Sequence, residues 1–223
     1  MNNEVINLIL GGTAFARILR HQMESVGLKV TGYCMSEDYK KRKGLKEFDG
    51  HPVYEFESLN EVFGERGFQV YLAIGYSGMN KGREEFFCTC EQRGYEIGSF
   101  IHPSVCTDTV QIGRGNIVLS GSKLGLFSKI GDGNIIWGAA TAHDGEIGNF
   151  NYLTGCIIGG ETTIGDYCFI GMQAVTRDKI RIGNDCLIGM GVVLNKSIPD
   201  NTVVMPPKQR FIHANPEDMG TLF

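Results

Sequence analysis

The chain changes its hydrophobic rhythm once. Up to residue 101, apolar runs alternate with segments of helical spacing. "VINLIL" reads as a strand. "GGTAFARILRHQMESVG" opens on two glycines and carries Phe15, Ile18, Leu19 and Met23 at helix spacing, stopped by Gly27. "KVTGYC" predicts a second strand and "SLNEVFGE" a short helix with Ser58 as N-cap. "QVYLAIG" predicts a third strand, "MNKGREEFFCTCEQRG" a third helix and "YEIGSFI" a last strand. Strands and helices in alternation predict a small parallel sheet covered by helices.

Beyond "FIHPS" the period becomes six. Apolar residues recur at Ile112, Val118, Leu124, Ile130 and Ile136, at Ile147 and Leu153, and from Ile164 through Ile170, Thr176, Ile182 and Ile188 to Leu194. A helix repeats near 3.6 and a flat strand at 2. Six, grouped in threes, predicts short strands on the three faces of a prism whose coils stack about 4.8 Å apart. The repeat has a flaw. Ile112 to Ile130 and Ile164 to Ile182 take eighteen residues, whereas Ile130 to Ile147 and Ile147 to Ile164 take seventeen. The loss is simplest to place in the third hexad, as "AHDGE" and "GGETT". That choice stacks His143 beside Gly160, with Gly125 or Leu126 in the coil before, and predicts an indentation at His143.

Composition narrows the function. A net charge of -4 leaves no basic footprint for nucleic acid. No apolar run approaches the ~20 residues that span a bilayer. "MNNEVINLIL" has no basic n-region or cleavage site, which predicts a cytoplasmic protein without membrane insertion. Seven cysteines are an odd number without a disulfide framework, and Cys88-x-Cys90 is not a metal spacing, so buried free thiols are expected and no metal. No nucleophile elbow, P-loop or zinc signature occurs. "GGTAFAR" lacks the G-x-G-x-x-G spacing of dinucleotide sites, yet a strand-to-helix turn offers backbone N–H groups to a phosphate.

The hexapeptide run resembles the left-handed parallel β-helix of acyltransferases. The whole chain resembles the NeuD/PglD group of bacterial sugar acyltransferases, through "LGGTAF", "AIGYSGMNKGREE", "FIHPS", the repeat, "AHD" and "KSIPDNTVVMPP". The fold class this implies is α/β plus β: a small Rossmann-like domain over 1–101, a left-handed β-helix over 102–205 and a tail over 206–223. The resemblance further implies acetyl-CoA as acyl donor, an amino or hydroxyl group of a nucleotide-linked sugar as acceptor, surface glycan biosynthesis, and a homotrimer with sites between subunits. It makes His143 the general base and Asp144 its helper. It places acetyl-CoA contacts on Tyr152, Met172 and Met190, and nucleotide-sugar contacts on Thr13, Ala14, Phe15, Met35 and Ser36, beside Gly12. The chain departs from the family at three of these places. The family often carries histidine where Tyr152 and Phe15 stand, and usually aspartates where "CMS" stands.

The residues themselves support part of this. Acyl transfer needs a base, a stabilised oxyanion and a slot for the donor. Imidazole titrates near neutral pH, and a carboxylate beside it holds the ring and favours its cationic form. Neighbours on an extended strand point to opposite sides, so His143 and Asp144 meet only if the chain bends there. Otherwise the helper carboxylate comes from elsewhere, or the pair is an exposed polar corner. Backbone N–H groups in the stretch from Gly155 to Gly160 are candidates for the oxyanion, and Lys196 for a CoA phosphate. His102 reads as a junction cap, and His21 and His213 as structural or solvated. A sugar-binding or assembly protein that kept the scaffold without catalysis is the competing reading. A nucleotidyltransferase is remote, because no nucleotidyl-transfer motif precedes the repeat.

Overall fold

The computed structural model describes residues 5–208. The tail from 209 onward, with His213, lies outside the described residues. The first unit contains β1 (Ile6–Leu10), α1 (Ala14–Ser25), β2 (Gly32–Met35), α2 (Glu37–Lys43), β3 (Glu47–Phe48), β4 (His51–Glu55), α3 (Leu59–Phe63), β5 (Phe68–Leu72), α4 (Lys81–Arg93) and β6 (Glu96–Ile97). Its sheet runs in the order β3-β4-β2-β1-β5-β6, parallel except for the β3–β4 hairpin. The connection reverses at β1, the switch point where open α/β sheets bind ligands.

Two elements carry local signals without hydrophobic periodicity. In α2, Ser36 accepts from the Tyr39 N–H and left-handed Gly44 ends the helix, but no residue of α2 is buried. The β3–β4 turn uses Asp49 (φ 49°) and Gly50 (φ 75°), the two positive φ values of a type I′ hairpin. Ser58 does precede α3, although its side chain makes no capping hydrogen bond. "YEIGSFI" is two strands. β6 ends the first sheet, and Phe100–Ile101 pairs with Ile117–Val118 in the β-helix. Gly98 makes the crossing: a Cβ there would lie 2.7 Å from the Tyr71 ring.

The second unit is a three-faced parallel β-helix. Its interior is the aliphatic ladder the period predicts, with Ile130, Ile147, Ile164 and Ile182 on one face and Val118, Ile136, Leu153, Ile170 and Ile188 on the next. Ile158 and Leu194 belong to the third face. The outward residues differ by face. On the polar face they are Gln111, Lys129, Glu146, Thr163 and Arg181. On the packed face Phe100, Ile117, Ile135 and Tyr152 join the core of the first unit around Phe15 and Leu19. On the third face Ala140, Ile157, Val175 and Val193 stand in register, with Ile157 53% and Val193 76% exposed.

Strand register corrects the placement of the missing residue. Ile136 pairs with Leu153 and Thr141 with Ile158, so Ile136 to Thr141 and Leu153 to Ile158 are steps of five. From Thr141 to Ile147 and from Ile158 to Ile164 the steps are the full six. Both coils therefore do lose a residue at one shared corner, but it is the corner before the third face, at Gly138 (φ 62°) and Gly155 (φ 53°). The His143 corner is complete.

Buried polar side chains brace the stack. Asn116, Asn134 and Asn151 are fully buried. Asn116 Oδ1 accepts from the Asn134 N–H, Asn134 Oδ1 from the Asn151 N–H, and Asn151 Oδ1 from the Cys168 N–H. Five cysteines are buried, but Cys88 and Cys106 are exposed, which corrects the expectation of buried thiols throughout. No helix among the described residues is long and apolar enough to cross a membrane. Asn134→Ala should cost roughly 3 kcal/mol, because the Asn151 N–H and the Gly148 carbonyl lose their partners inside the stack. Urea unfolding monitored by circular dichroism measures it; a loss below 1 kcal/mol, about the net worth of one hydrogen bond, would remove the ladder's bracing role.

Candidate functional site

The bend that the His143–Asp144 contact requires is present. Phe127, Asp144, Glu161 and Lys179 occupy the left-handed corner position of successive coils, with φ of 62°, 53°, 54° and 59°. At this turn His143 Nδ1 lies 2.8 Å from Asp144 Oδ2. With Nδ1–H donated to the carboxylate, Nε2 carries the lone pair. The His143 side chain is 62% exposed. Gly160 is its neighbour in the next coil, where a Cβ would stand 2.9 Å from Nε2 and 3.1 Å from Cε1. In the coil before, the Asp144 N–H donates to the Leu126 carbonyl, so Leu126 rather than Gly125 is in register with His143.

The indentation lies one corner away. A groove of about 500 Å³ opens at the shortened corner, lined by Tyr76, Trp137, Gly138, Tyr152, Thr154, Gly155, Phe169 and Met172. Gly138 and Gly155 of the shortened corner form part of its wall, and aromatic rings floor it. Tyr152 stacks on Phe169 at 5.7 Å, and Tyr76 meets both. Burial raises the Tyr152 hydroxyl above its ordinary pKa, opposed by the Arg83 guanidinium.

The proposed donor contacts divide between two edges. Gly155, Met172 and Met190 lie on the edge before the third face, the methionines 57% and 63% exposed. Gly160 and Lys196 lie on the edge after it, with His143 and Asp144. The third face separates the two sets within one chain. The oxyanion candidates narrow as well. The N–H groups of Gly155, Ile157 and Gly159 are engaged between coils by the Trp137 carbonyl, the Ala174 carbonyl and Thr176 Oγ1. His102 bonds locally, its Nδ1 2.8 Å from Ser104 Oγ at the junction, and His21 is exposed on α1.

A second cavity of about 240 Å³ sits at the carboxyl ends of β1, β2 and β5. Gly12, Thr13, Met35 and Ser36 line it. Ala14 is exposed at the start of α1. Phe15 is not part of that wall: it is buried against Trp137 and Tyr152, with centroids 5.8 and 6.2 Å away, and ties α1 to the β-helix.

Arg83 was not legible in the sequence, where an arginine within "KGREE" reads as a surface residue. It is fully buried. Its five N–H groups meet five neutral oxygens: the carbonyls of Gly133 (2.7 Å), Ile74 (2.9 Å), Gly75 (3.3 Å) and Asn151 (3.0 Å), and Asn80 Oδ1 (3.2 Å). Burial lowers the guanidinium to about 9, and it stays charged at neutral pH. One side chain thus fixes the loop beside the second cavity and the backbone next to Tyr152.

Residues 161–196 match the bacterial transferase hexapeptide (six repeats) family. Three solved structures share the architecture over nearly the whole chain. The GDP-perosamine N-acetyltransferase of Caulobacter crescentus, crystallised with CoA and GDP-perosamine, superposes with a TM-score of 0.78 at 24% identity, covering 89% of this chain and 92% of that one. The acetyltransferase domain of PglB from Neisseria gonorrhoeae gives 0.77 at 22%, covering 88% and 94%. WeeI from Acinetobacter baumannii gives 0.76 at 23%, covering 91% and 97%. The fold is that of the left-handed β-helix acetyltransferases with a small N-terminal α/β domain.

Gly160→Ala should displace the imidazole, because the added methyl falls within 3.3 Å of three ring atoms of His143. Imidazole NMR signals and a crystal structure of the variant test this. An unmoved ring still bonded to Asp144 would show that Gly160 does not shape the site.

Proposed function

We propose that this protein transfers the acetyl group of acetyl-CoA to an amino or hydroxyl group of a sugar, linked to a nucleotide, for surface glycan assembly. The observation that carries this reading is the His143–Asp144 pair, with Nδ1 engaged and Nε2 open beside Gly160. Nε2 takes the proton as the acceptor nitrogen or oxygen bonds to the thioester carbonyl carbon. The tetrahedral centre collapses, the C–S bond breaks, and the proton passes from Nε2 to the leaving sulfur. Asp144 holds the ring and stabilises its cation. The acetyltransferase neighbours crystallised with CoA or acetyl-CoA support the donor.

The division of the site between two edges supports a trimer. Three copies with their third faces turned to a threefold axis bury Ala140, Ile157, Val175 and Val193. In that arrangement each subunit's His143 edge abuts its neighbour's Gly155 edge. The groove, whose lining carries no charged side chain, then takes the pantetheine arm and thioester, and Lys196 approaches a phosphate from the facing subunit. The competing reading, a sugar-binding protein without catalysis, draws on the aromatic floor of the groove, which can stack a sugar ring and needs no base.

His143→Ala should lower kcat by roughly 10²-fold or more with the fold intact. Thioester cleavage over a panel of amino sugars measures it, and near-normal kcat would sink the assignment. Ile157→Asp with Val193→Asp should give monomers by light scattering. Mixing inactive His143→Ala subunits with inactive Thr154→Trp subunits should restore part of the activity, because some interfaces then pair an intact histidine with an intact groove. Mixed trimers that stay inactive would place the site within one chain.

A further inference from the structure

The second cavity is unusual in what it lacks. Its wall includes Leu10, Met35, Tyr39, Ile74 and Phe86, and none of its lining residues is charged. Met35 closes β2, the strand end where sheets of this order place the acidic residue that hydrogen-bonds a ribose 2′-hydroxyl. Here that place holds a thioether, a weak acceptor. The methionine also reaches over the phosphate turn: a Cβ on Gly12 would lie 2.5 Å from Met35 Cε and 3.1 Å from its sulfur. A 2′-hydroxyl against Met35 loses water and gains little. A 2′-deoxyribose loses nothing there.

The base is restricted by the same wall. The amino and imino donors of guanine, or the amino group of cytosine, would find no carboxylate among the lining residues. Thymine offers a 5-methyl group, which Met35, Ile74 and Phe86 can remove from water. At about 240 Å³ the cavity falls short of the roughly 300–1,000 Å³ of sites for drug-sized ligands, which suits one nucleoside with its phosphates outside. The phosphates have a place. Thr13 caps α1 in position only, without a side-chain hydrogen bond, and this twelve-residue helix starts directly after Gly12 and Thr13, which line the cavity.

We infer that the cavity selects a deoxythymidine diphosphate sugar as the acceptor, by an apolar wall around Met35 that rewards the thymine methyl and offers a ribose 2′-hydroxyl no carboxylate partner. This names the acceptor class of the proposed acetyl transfer and rests on that reading.

Calorimetric titration of the full-length protein with dTDP, dUDP, UDP and GDP, without acyl donor, separates the contributions. dTDP should bind most tightly, about fourfold better than dUDP, the worth of one buried methyl. dUDP should bind better than UDP, and GDP should bind weakest. Met35→Asp should reverse the order of UDP and dUDP while circular dichroism stays unchanged. UDP or GDP binding as tightly as dTDP overturns the inference, and so does the absence of binding by all four. The wild-type panel decides this even if the variant fails to fold. dTDP selectivity without thioester cleavage for any sugar would overturn acetyl transfer alone. Cleavage with another acceptor but no dTDP preference would overturn this inference alone.

Discussion

Stacking between coils governs the rest of the molecule. A coil rests on the next through parallel backbone hydrogen bonds, so each inward aliphatic must sit directly over another. Length can vary only at a corner, where a residue can be lost while the strands on the faces keep their register. From Ile130 to Ile164 two adjacent coils each lose one residue at one corner, and the groove lies beside that corner. The same rule aligns the left-handed corner residues. Asp144 can turn back onto His143 because Phe127, Glu161 and Lys179 hold the same conformation in the neighbouring coils.

Most of this was legible because period six has few structural solutions. The Ile-Gly beat gave the interior of two faces directly. The third face was obscured where it mattered. Thr141 breaks an aliphatic pattern, and adjacent Ile157 and Ile158 leave the inward member undecided. The corner before the third face is therefore not distinguishable from the corner after it by pattern alone. α2 has no hydrophobic periodicity because it buries nothing, although Ser36, the acidic start, the basic end and Gly44 spell its caps. The Asp49-Gly50 hairpin was equally readable from its turn pair. Arg83 was not readable, since burial of an arginine depends on oxygens far away in sequence.

The two units are joined more deeply than a linker would require. Phe100, Ile117, Ile135 and Tyr152 share a core with Phe15 and Leu19, and Phe87 meets Phe150 edge to face. Arg83 adds rigidity to this apolar contact. Burying an ion is costly without compensation, and here the compensation is five neutral acceptors drawn from both units. Replacing the guanidinium with a shorter or uncharged group would leave several buried carbonyls without donors at once.

This placement ties the two cavities together. The loop after β5 contributes Ile74, Gly75 and Ser77 to the cavity at the strand ends and Tyr76 to the aromatic groove. Arg83 holds that loop at Ile74 and Gly75 and holds the groove at Asn151, beside Tyr152. A ligand seated between Met35 and Ile74 therefore rests on a surface whose far side faces the groove. The distance between the two is held by the shared apolar core and by Arg83. Orienting a reactive group against a base is worth far more than contact alone. On the proposed reading, a rigid link between an acceptor cavity and a donor groove, with the base supplied across a subunit boundary, would meet that demand without any moving part.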